Sequence, residues 1–380
     1  MVRYFPCRAV DVTRLFLSGA ERIGAERMTR SMFEQYEDQV RLESVTMLPE
    51  FQSTYQDLRY YESSVTPGIR LAINIIKPDQ PSFLLVQLHG WHMSMPEPQK
   101  REEPLPDKPY LVVQVDMRGR VFSEGTPDCN GFELIDIYDA IQFVREHYAS
   151  LLLDPEVVYL EGGSGGGGNV LAAINKFPDL FAAATALYGI ADYAEWYACD
   201  RNGEFRDDMD IWIGTPPWES MEPYEARSGA HLVQNQLSPL LLAHGTFDAR
   251  VPVSHSRLYM KAAELAGKAE LIHYIEWPGV GGEGHTDRLP QETLADFIGL
   301  RNFHKQFNTI PPLIARKGNF RVGGYLYTKQ FVIWLDRVDH TADLTYDLDQ
   351  QTFMVTAKMP YAYRIKTITG EWIEGTALSV

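Results

Sequence analysis

Cysteine is scarce in this chain: three in 380 residues, at Cys7, Cys129 and Cys199. An odd, widely spaced set offers neither a disulfide framework nor paired zinc spacing, and it suits free thiols in a reducing compartment. Positive charge is also in deficit, with 35 Lys and Arg against 51 Asp and Glu and a formal net charge of −16. A surface of that sign repels phosphate backbones and anionic lipid, so neither nucleic acid nor a membrane is expected as a partner. No stretch reaches 18 consecutive apolar residues, which excludes an ordinary transmembrane helix. Near the N-terminus the short Leu15-Phe16-Leu17 run gives way at once to charged residues, so no secretory signal is expected. These absences together predict a soluble, cytoplasmic protein. Metal-ligand groupings are sparse too. His89 and His92 form H-x-x-H, but on a loop and without a nearby third ligand, so neither a metal nor an organic cofactor is expected.

Apolar residues, in contrast, make up 45% of the chain, enough for a large core. Residues 10 to 45 alternate charges with Leu15, Phe16, Ile23, Met28, Met32, Phe33 and Tyr36 at helical spacing. They predict an N-terminal helical extension over residues 1–50, for packing or an oligomer contact. From residue 51 the rhythm changes. "DLRYYESSVTPGIRLAINIIKPDQP" reads as two antiparallel strands about a Pro-Gly turn. The runs "FLLVQLHG" and "PYLVVQVDMRG" are continuously apolar up to their ends, as suits strands buried on both faces of a parallel sheet, and "PEVVYLEGG", "AAATALYG", "PLLLAHG" and "AELIHYIEWP" read as further strands. Helical patterns separate most of them: "FELIDIYDAIQFVREHY", "NVLAAINKF", "SRLYMKAAELAG" and the closing "LPQETLADFIGLRNFHKQF". Strand and helix alternating over residues 51–308 predict an α/β, doubly wound, mostly parallel sheet.

Two segments break this pattern. Residues 193–230 are long, aromatic and proline-bearing, as lids and pocket walls often are. Trp196, Tyr197, Trp212, Trp218 and Tyr224 are the candidates there to line a substrate pocket, and Trp91 is a further candidate from outside the segment. Beyond residue 308, short strand-like runs such as "QFVIWL" and "TFMVTAK" predict a β-rich domain over 309–380, with no catalytic constellation of its own.

The chemistry is carried by "EGGSGGGGNV", residues 161–170, between the strand "VVYLE" and the helix "NVLAAI". A flexible linker would not sit between two regular apolar elements. A dinucleotide fingerprint is a rival, because Gly163, Gly165 and Gly168 fit G-x-G-x-x-G and Asp192 ends the next strand. That fingerprint normally follows a fold's first strand, however, and here other strands precede it. The third reading makes Ser164 a nucleophile, since Gly162 to Gly166 fit G-x-S-x-G on a strained strand-to-helix turn. A serine hydroxyl needs a histidine to take its proton and a carboxylate to orient that histidine. Both occur downstream in the required order. Asp248 follows the strand "PLLLAHG", and His285 lies in "GVGGEGHTD" after the next strand. Asp192 is the alternative acid, and Glu283 and Asp287 flank His285 closely enough to influence it. Donors for a tetrahedral oxyanion are expected from the backbone N–H groups of Gly165 and of Trp91, the latter in the loop "LHGWHM". His89 is expected to support that loop, and His244 to be a packed core residue.

The segments "LHGW", "VDMRGRVFSEG", "DPEVVYLEGGSGGGGNVLAAINKFPDLFAAATALYG" and "SPLLLAHGTFDARVPV" resemble α/β-hydrolases of the acetyl xylan esterase and prolyl oligopeptidase-like group, over roughly residues 55–305. The resemblance implies a triad of Ser164, Asp248 and His285 and a structural role near the serine turn for Arg118. Three positions depart from it. Arg120 and Gly165 stand where acetyl xylan esterases carry Gln, and Trp91 stands where an oxyanion-loop Tyr is frequent. Gly165 is thus expected to leave extra room beside the nucleophile. About 50 residues precede the hydrolase part, so the propeller of many oligopeptidases is not expected. An acyl-enzyme mechanism on a small-molecule ester is the first expectation and on a short peptide or amide the second. A non-catalytic binding protein on the same fold is the rival of a different class.

Overall fold

The computed structural model describes residues 47–104, 109–200, 203–290 and 303–380. The expected N-terminal helix over 10–45 and most of the expected closing helix over 289–307 lie outside the described residues.

A first sheet has nine strands: β1 (Phe51–Gln52), β2 (Gln56–Glu62), β3 (Arg70–Ile76), β4 (Leu84–Leu88), β5 (Leu111–Val115), β6 (Val158–Gly163), β7 (Ala183–Leu187), β8 (Leu240–Gly245) and β9 (Ile272–Trp277). Their spatial order is β1-β2-β3-β5-β4-β6-β7-β8-β9. β2 and β3 pair antiparallel across the Pro67-Gly68 turn, where Gly68 takes a φ of +89°. From β5 to β9 every pairing is parallel, with Val86 of β4 opposite both Val113 of β5 and Leu160 of β6. The side chains of β4 to β8 are mostly buried on both faces, whereas the edge strand β9 exposes His273. The order reverses around β4, and the crevice beyond the carboxyl ends of the neighbouring strands is where such sheets place their sites.

Helix α1 (Glu133–His147) and helix α2 (Gly165–Lys176) cover one face, with Ile137, Ile141, Val144, Val170 and Ile174 set against Val86, Val113 and Leu160. The 193–230 excursion folds into helices α3 (Tyr193–Cys199), α4 (Arg206–Trp212) and α5 (Glu222–Arg227), followed by α6 (Gly229–Leu232). Asp192 opens α3 by accepting the N–H groups of Ala194 and Glu195 at 2.9 and 3.2 Å. Helix α7 (Ser254–Leu265) lies between β8 and β9, and Gly267 just beyond it takes φ +67°.

The C-terminal part forms a second sheet of eight strands: β10 (Lys317–Gly323), β11 (Tyr325–Tyr327), β12 (Phe331–Leu335), β13 (Thr341–Asp347), β14 (Thr352–Ala357), β15 (Ala362–Thr367), β16 (Trp372–Thr376) and β17 (Leu378–Ser379). Its own core is built from Phe320, Val322, Leu326, Ile333, Leu344, Val355 and Ile365. It docks on the first body through buried polar groups. Lys176, at the end of α2, donates to the carbonyl of Gly323 at 2.7 Å, and its ammonium sits 4.3 Å from the Tyr325 ring centroid. The Tyr325 hydroxyl donates to the Gly131 carbonyl at 2.6 Å. Arg227 bonds Asp339 at 2.5 Å. Asn235 exchanges hydrogen bonds with the backbone of Arg321 at 2.7 and 2.9 Å. Each of these groups would be costly to leave unpaired in an interior.

Burial, reinforced by the nearby Arg227 charge, pulls the Lys176 ammonium down to about 7 from an ordinary 10.5. The folded value is the lower one, so between these two values the unfolded chain binds more protons. Stability therefore rises with pH from about 7 towards 10.5 through this group. Lys176→Met removes the titrating group, and the expected outcome is a flatter dependence of Tm on pH over that window, read by thermal unfolding.

Candidate active site

β6 ends in glycine and α2 begins in glycine, with Ser164 as the hinge between them. Ser164 has φ +56° and ψ −122°, a conformation that L-residues other than glycine rarely adopt. Such strain costs about 1–3 kcal/mol and persists only where the surroundings impose it. Here the Ser164 N–H is held by the Leu187 carbonyl at 3.0 Å, and its carbonyl accepts the Gly168 N–H at 3.0 Å. The glycine run lets α2 approach the end of β4. A Cβ on Gly166 would fall 2.6 Å from the carbonyl oxygens of both Leu88 and His89.

Gly165 corrects the expectation of spare room beside the nucleophile. A Cβ there would fall 2.5 Å from the Trp91 nitrogen and 2.7 Å from its Cα. The space a side chain would fill is occupied by the backbone of the 89–93 loop. The N–H groups of Gly165 and Trp91 are thus neighbours, and neither donates to another backbone carbonyl among the described residues. The Gly165 N–H belongs to the first turn of α2, where no intrahelical partner exists. His89 braces this loop. The Met117 N–H donates to its Nε2 at 3.1 Å, so the proton sits on Nδ1, which bonds the Gly90 carbonyl at 2.8 Å. Burial, with Arg120 nearby, pushes the ring down to about 3 and keeps it neutral. Arg118 anchors the loop that carries Met117, holding Asp136 of α1 through two bonds of 2.6 and 2.8 Å.

Asp248 and His285 come together on the loops that follow β8 and β9. His285 Nδ1 lies 2.7 Å from Asp248 Oδ2, and the other carboxylate oxygen accepts the N–H groups of Arg250 and Val251 at 3.0 Å each. Burial alone would raise this carboxyl, but the nearby His244 and the bond from His285 outweigh it and hold it down to about 2. With Nδ1 donating to the carboxylate, Nε2 of a neutral His285 is left as the basic nitrogen. The Tyr188 ring stacks on the imidazole, centroids 4.4 Å apart and planes within 5°. Asp287 ties the loop by accepting the Gly284 N–H at 2.8 Å, so it acts on the backbone before His285 rather than on the ring. Asp192, the alternative acid, is a helix cap bonded to His231 Nε2 at 2.9 Å and lies on different partners.

Ser164, His285, Trp91 and Tyr188 line one cleft of about 1040 Å³, with Met93, Met95, Val121, Phe122, Phe205 and Arg250 among its walls. The aromatic assignment from sequence needs correction. Trp196, Tyr197 and Tyr224 are buried in a cluster with Tyr193, Met209 and Ile213 that meets the cleft through Trp91 and Phe205, and Trp212 packs against it. Trp218 is exposed and meets Tyr197 edge-on. Trp196 faces inward because its indole N–H donates to the Arg250 carbonyl at 2.8 Å while its ring stacks on Phe205. The excursion thus presents Phe205 to the cleft and keeps its tryptophans behind. His244 is buried as expected, yet it touches the site. Its Nε2 faces the Val251 carbonyl at 2.7 Å and Asp248 Oδ2 at 3.6 Å, and its Nδ1 accepts from the Ser256 hydroxyl at 2.7 Å. Its place two residues before the loop of Asp248 was the available signal. No group of three or more His, Cys, Asp or Glu side chains suited to a metal occurs among the described residues, and no described helix is long and apolar enough to cross a membrane.

This strand order, with the serine turn after β6, defines the α/β-hydrolase fold. Residues 99–297, just over half of the chain, match the prolyl oligopeptidase family, and the chain belongs to that family. It is 27% identical over 191 residues to the acylamino-acid-releasing enzyme of Arabidopsis thaliana, covering 48% of this chain and 22% of that protein. It is 27% identical over 183 residues to the esterase LipQ of Mycobacterium tuberculosis, covering 44% and 43%. Dipeptidyl peptidase family member 6 of Caenorhabditis elegans is 24% identical over 269 residues, covering 64% and 34%. The matches thus span between about a fifth and two-fifths of these relatives. Among solved structures, an acylaminoacyl peptidase in complex with Z-Gly-Gly-Phe-chloromethyl ketone superposes with a TM-score of 0.55 at 23% identity, covering 69% of this chain and 43% of that one. A puromycin-hydrolyzing peptidase of Mycobacterium tuberculosis gives 0.51 at 19% identity, covering 67% and 41%.

Two outcomes follow from this geometry. Ser164→Gly relieves the positive φ whereas Ser164→Ala keeps it, so the glycine variant is expected to be the more stable by about 1 kcal/mol, read by chemical denaturation. Gly165→Ala pushes a methyl group into the Trp91 backbone and is expected to cost about 1–3 kcal/mol by overpacking, read by the same measurement.

Proposed function

We propose that the protein is a serine hydrolase that cleaves a carboxylic ester through an acyl-enzyme. The observation that carries this reading is the 2.7 Å contact of His285 Nδ1 with a carboxylate held ionised, in the cleft that also exposes a serine at φ +56°. Ser164 Oγ attacks the carbonyl carbon, and His285 Nε2 takes its proton. Asp248 keeps the imidazole in the tautomer with Nδ1 protonated and stabilises the imidazolium that forms. The N–H groups of Gly165 and Trp91 receive the oxyanion, and the positive end of α2 adds to their pull. His285 then protonates the leaving alcohol. Water enters, loses its proton to the same nitrogen, and releases the acid.

An ester is favoured by how the acids of the cleft are used. A peptide with a free amino terminus needs a carboxylate to receive its ammonium. Glu161 is bound by Gln87 at 2.5 Å, Glu204 beside the cleft is bound by Arg250, and Glu97 is exposed at the rim. The apolar wall of Met93, Met95, Val121 and Phe122 suits a neutral acyl group. The second reading, hydrolysis of a short peptide or amide, draws on relatives named for releasing acylamino acids and dipeptides. The same nucleophile and base would serve it.

Ser164→Ala is expected to lower kcat on p-nitrophenyl acetate by at least about 10³-fold, and Asp248→Asn by about 10³–10⁴-fold through the wrong imidazole tautomer. Stopped assays with labelling by a fluorophosphonate probe check both; a folded wild-type protein that turns over no ester and takes no label would remove the proposal. Turnover of aminoacyl p-nitroanilides ahead of p-nitrophenyl esters would replace the ester by the peptide reading.

A further inference from the structure

The indole of Trp91 does not face the cleft as a free wall. It is almost fully buried in the excursion, stacked on Trp212 with centroids 4.7 Å apart and edge-on to Trp196 at 4.9 Å. One buried carboxylate ties it there. Asp208, on α4, accepts the indole N–H of Trp91 at 2.7 Å through Oδ2, and the same oxygen lies 2.7 Å from Nε2 of His92. Two consecutive residues of the 89–93 loop are therefore gripped by one oxygen atom that belongs to another segment, 117 residues away from Trp91 in the chain. The carboxylate is itself buried, and the His92 ring above it is stacked on Phe205. An acceptor with a full charge makes stronger and shorter bonds than a neutral one, and in a dry setting it fixes its donors more tightly.

The consequence lies at the other end of Trp91. Its side chain is fastened to the excursion, while its nitrogen lies against Gly165, beside the Ser164 turn. Rotating or withdrawing the indole would move the amide that receives the oxyanion. The excursion holds the acid loop as well, since Trp196 binds the Arg250 carbonyl at 2.8 Å and Glu204 pairs with the Arg250 guanidinium. The segment that reads as a lid thus grips two of the loops around the serine, the one that carries Trp91 and the one that carries Asp248.

We propose that Asp208 is a positioning residue of the oxyanion hole. It sets the Trp91 amide by holding the Trp91 indole and the His92 ring on one oxygen, and so makes the 193–230 excursion part of the catalytic apparatus. This inference rests on the hydrolase reading above. A donor displaced from the oxyanion weakens the transition state more than the ground state, so the loss should appear in kcat and not in KM.

The test is a double-mutant cycle on the full chain with Asp208→Asn, Trp91→Phe and their combination, assayed on p-nitrophenyl acetate with Ser164→Ala as the control. Trp91→Phe keeps the backbone donor and an aromatic ring, but removes the indole N–H together with part of the ring that stacks on Trp212. Each single change is expected to lower kcat by about 10–100-fold with KM within threefold, and the double variant to fall little further than the worse single one. Affinity for a trifluoromethyl ketone, which forms an oxyanion on the serine, should drop in parallel. Should Asp208→Asn not fold, Trp91→Phe carries the test alone through the same kcat and ketone readouts. Folded single variants with wild-type kcat and ketone affinity, or full additivity in the cycle, would overturn the role of Asp208. An active Ser164→Ala control would instead overturn the hydrolase reading beneath it.

Discussion

A single strained residue organises this molecule. Ser164 is held at a positive φ because a parallel strand must stop and a helix must start with no room for a longer turn. The cost is met by bonds on either side, to the Leu187 carbonyl and from the Gly168 N–H, and by glycines that let the helix press against the ends of β4 and β6. Everything else in the cleft is arranged around the point where that hydroxyl emerges. The loops after β4, β8 and β9 converge there because parallel strands all deliver their following loops to the same edge of the sheet.

The second layer of the design is the use of buried charges as fasteners. Asp248, Asp208 and Asp136 are each surrounded by donors drawn from a different element. Such groups add little net stability compared with apolar packing, but they tolerate few alternative arrangements. That property suits a site in which displacement by an ångström would misalign donor and acceptor. The same device joins the two sheets, where Lys176 and Asn235 reach across to β10 and Arg227 to the connection between β12 and β13. The C-terminal sheet thus leans on the rear of α2, the helix whose front end is the serine turn. Through that helix the docking surface and the cleft share one rigid element.

Much of this was legible before any coordinates. The six strand-like segments from "FLLVQLHG" to "AELIHYIEWP" became β4 to β9, and the segments about Pro67-Gly68 became β2 and β3. Asp248 and His285 could be singled out by order and by the glycine-rich loop around His285, and the fold brings them to 2.7 Å. Other parts were hidden. Trp196, Tyr197 and Trp212 look like pocket residues in sequence, yet they turn inward: Trp196 meets Phe205 and the Arg250 carbonyl, Tyr197 meets Asp210 and Tyr224, and Trp212 stacks on Trp91. Asp208 had no local signature, since its donors lie 117 and 116 residues away.

The sequence alone determined the alternation of strand and helix, the serine turn and the order of the residues that follow it. Each depends on short-range physics: apolar periodicity, the clearance that glycine supplies, and the length of a strand. Only the tertiary structure decided that Gly165 is pressed against Trp91, that Asp208 binds the 89–93 loop, and that Trp196 and Trp212 pack within the excursion. Those choices depend on which of several chemically equivalent groups come within bonding distance, and distance across the fold is a property of packing.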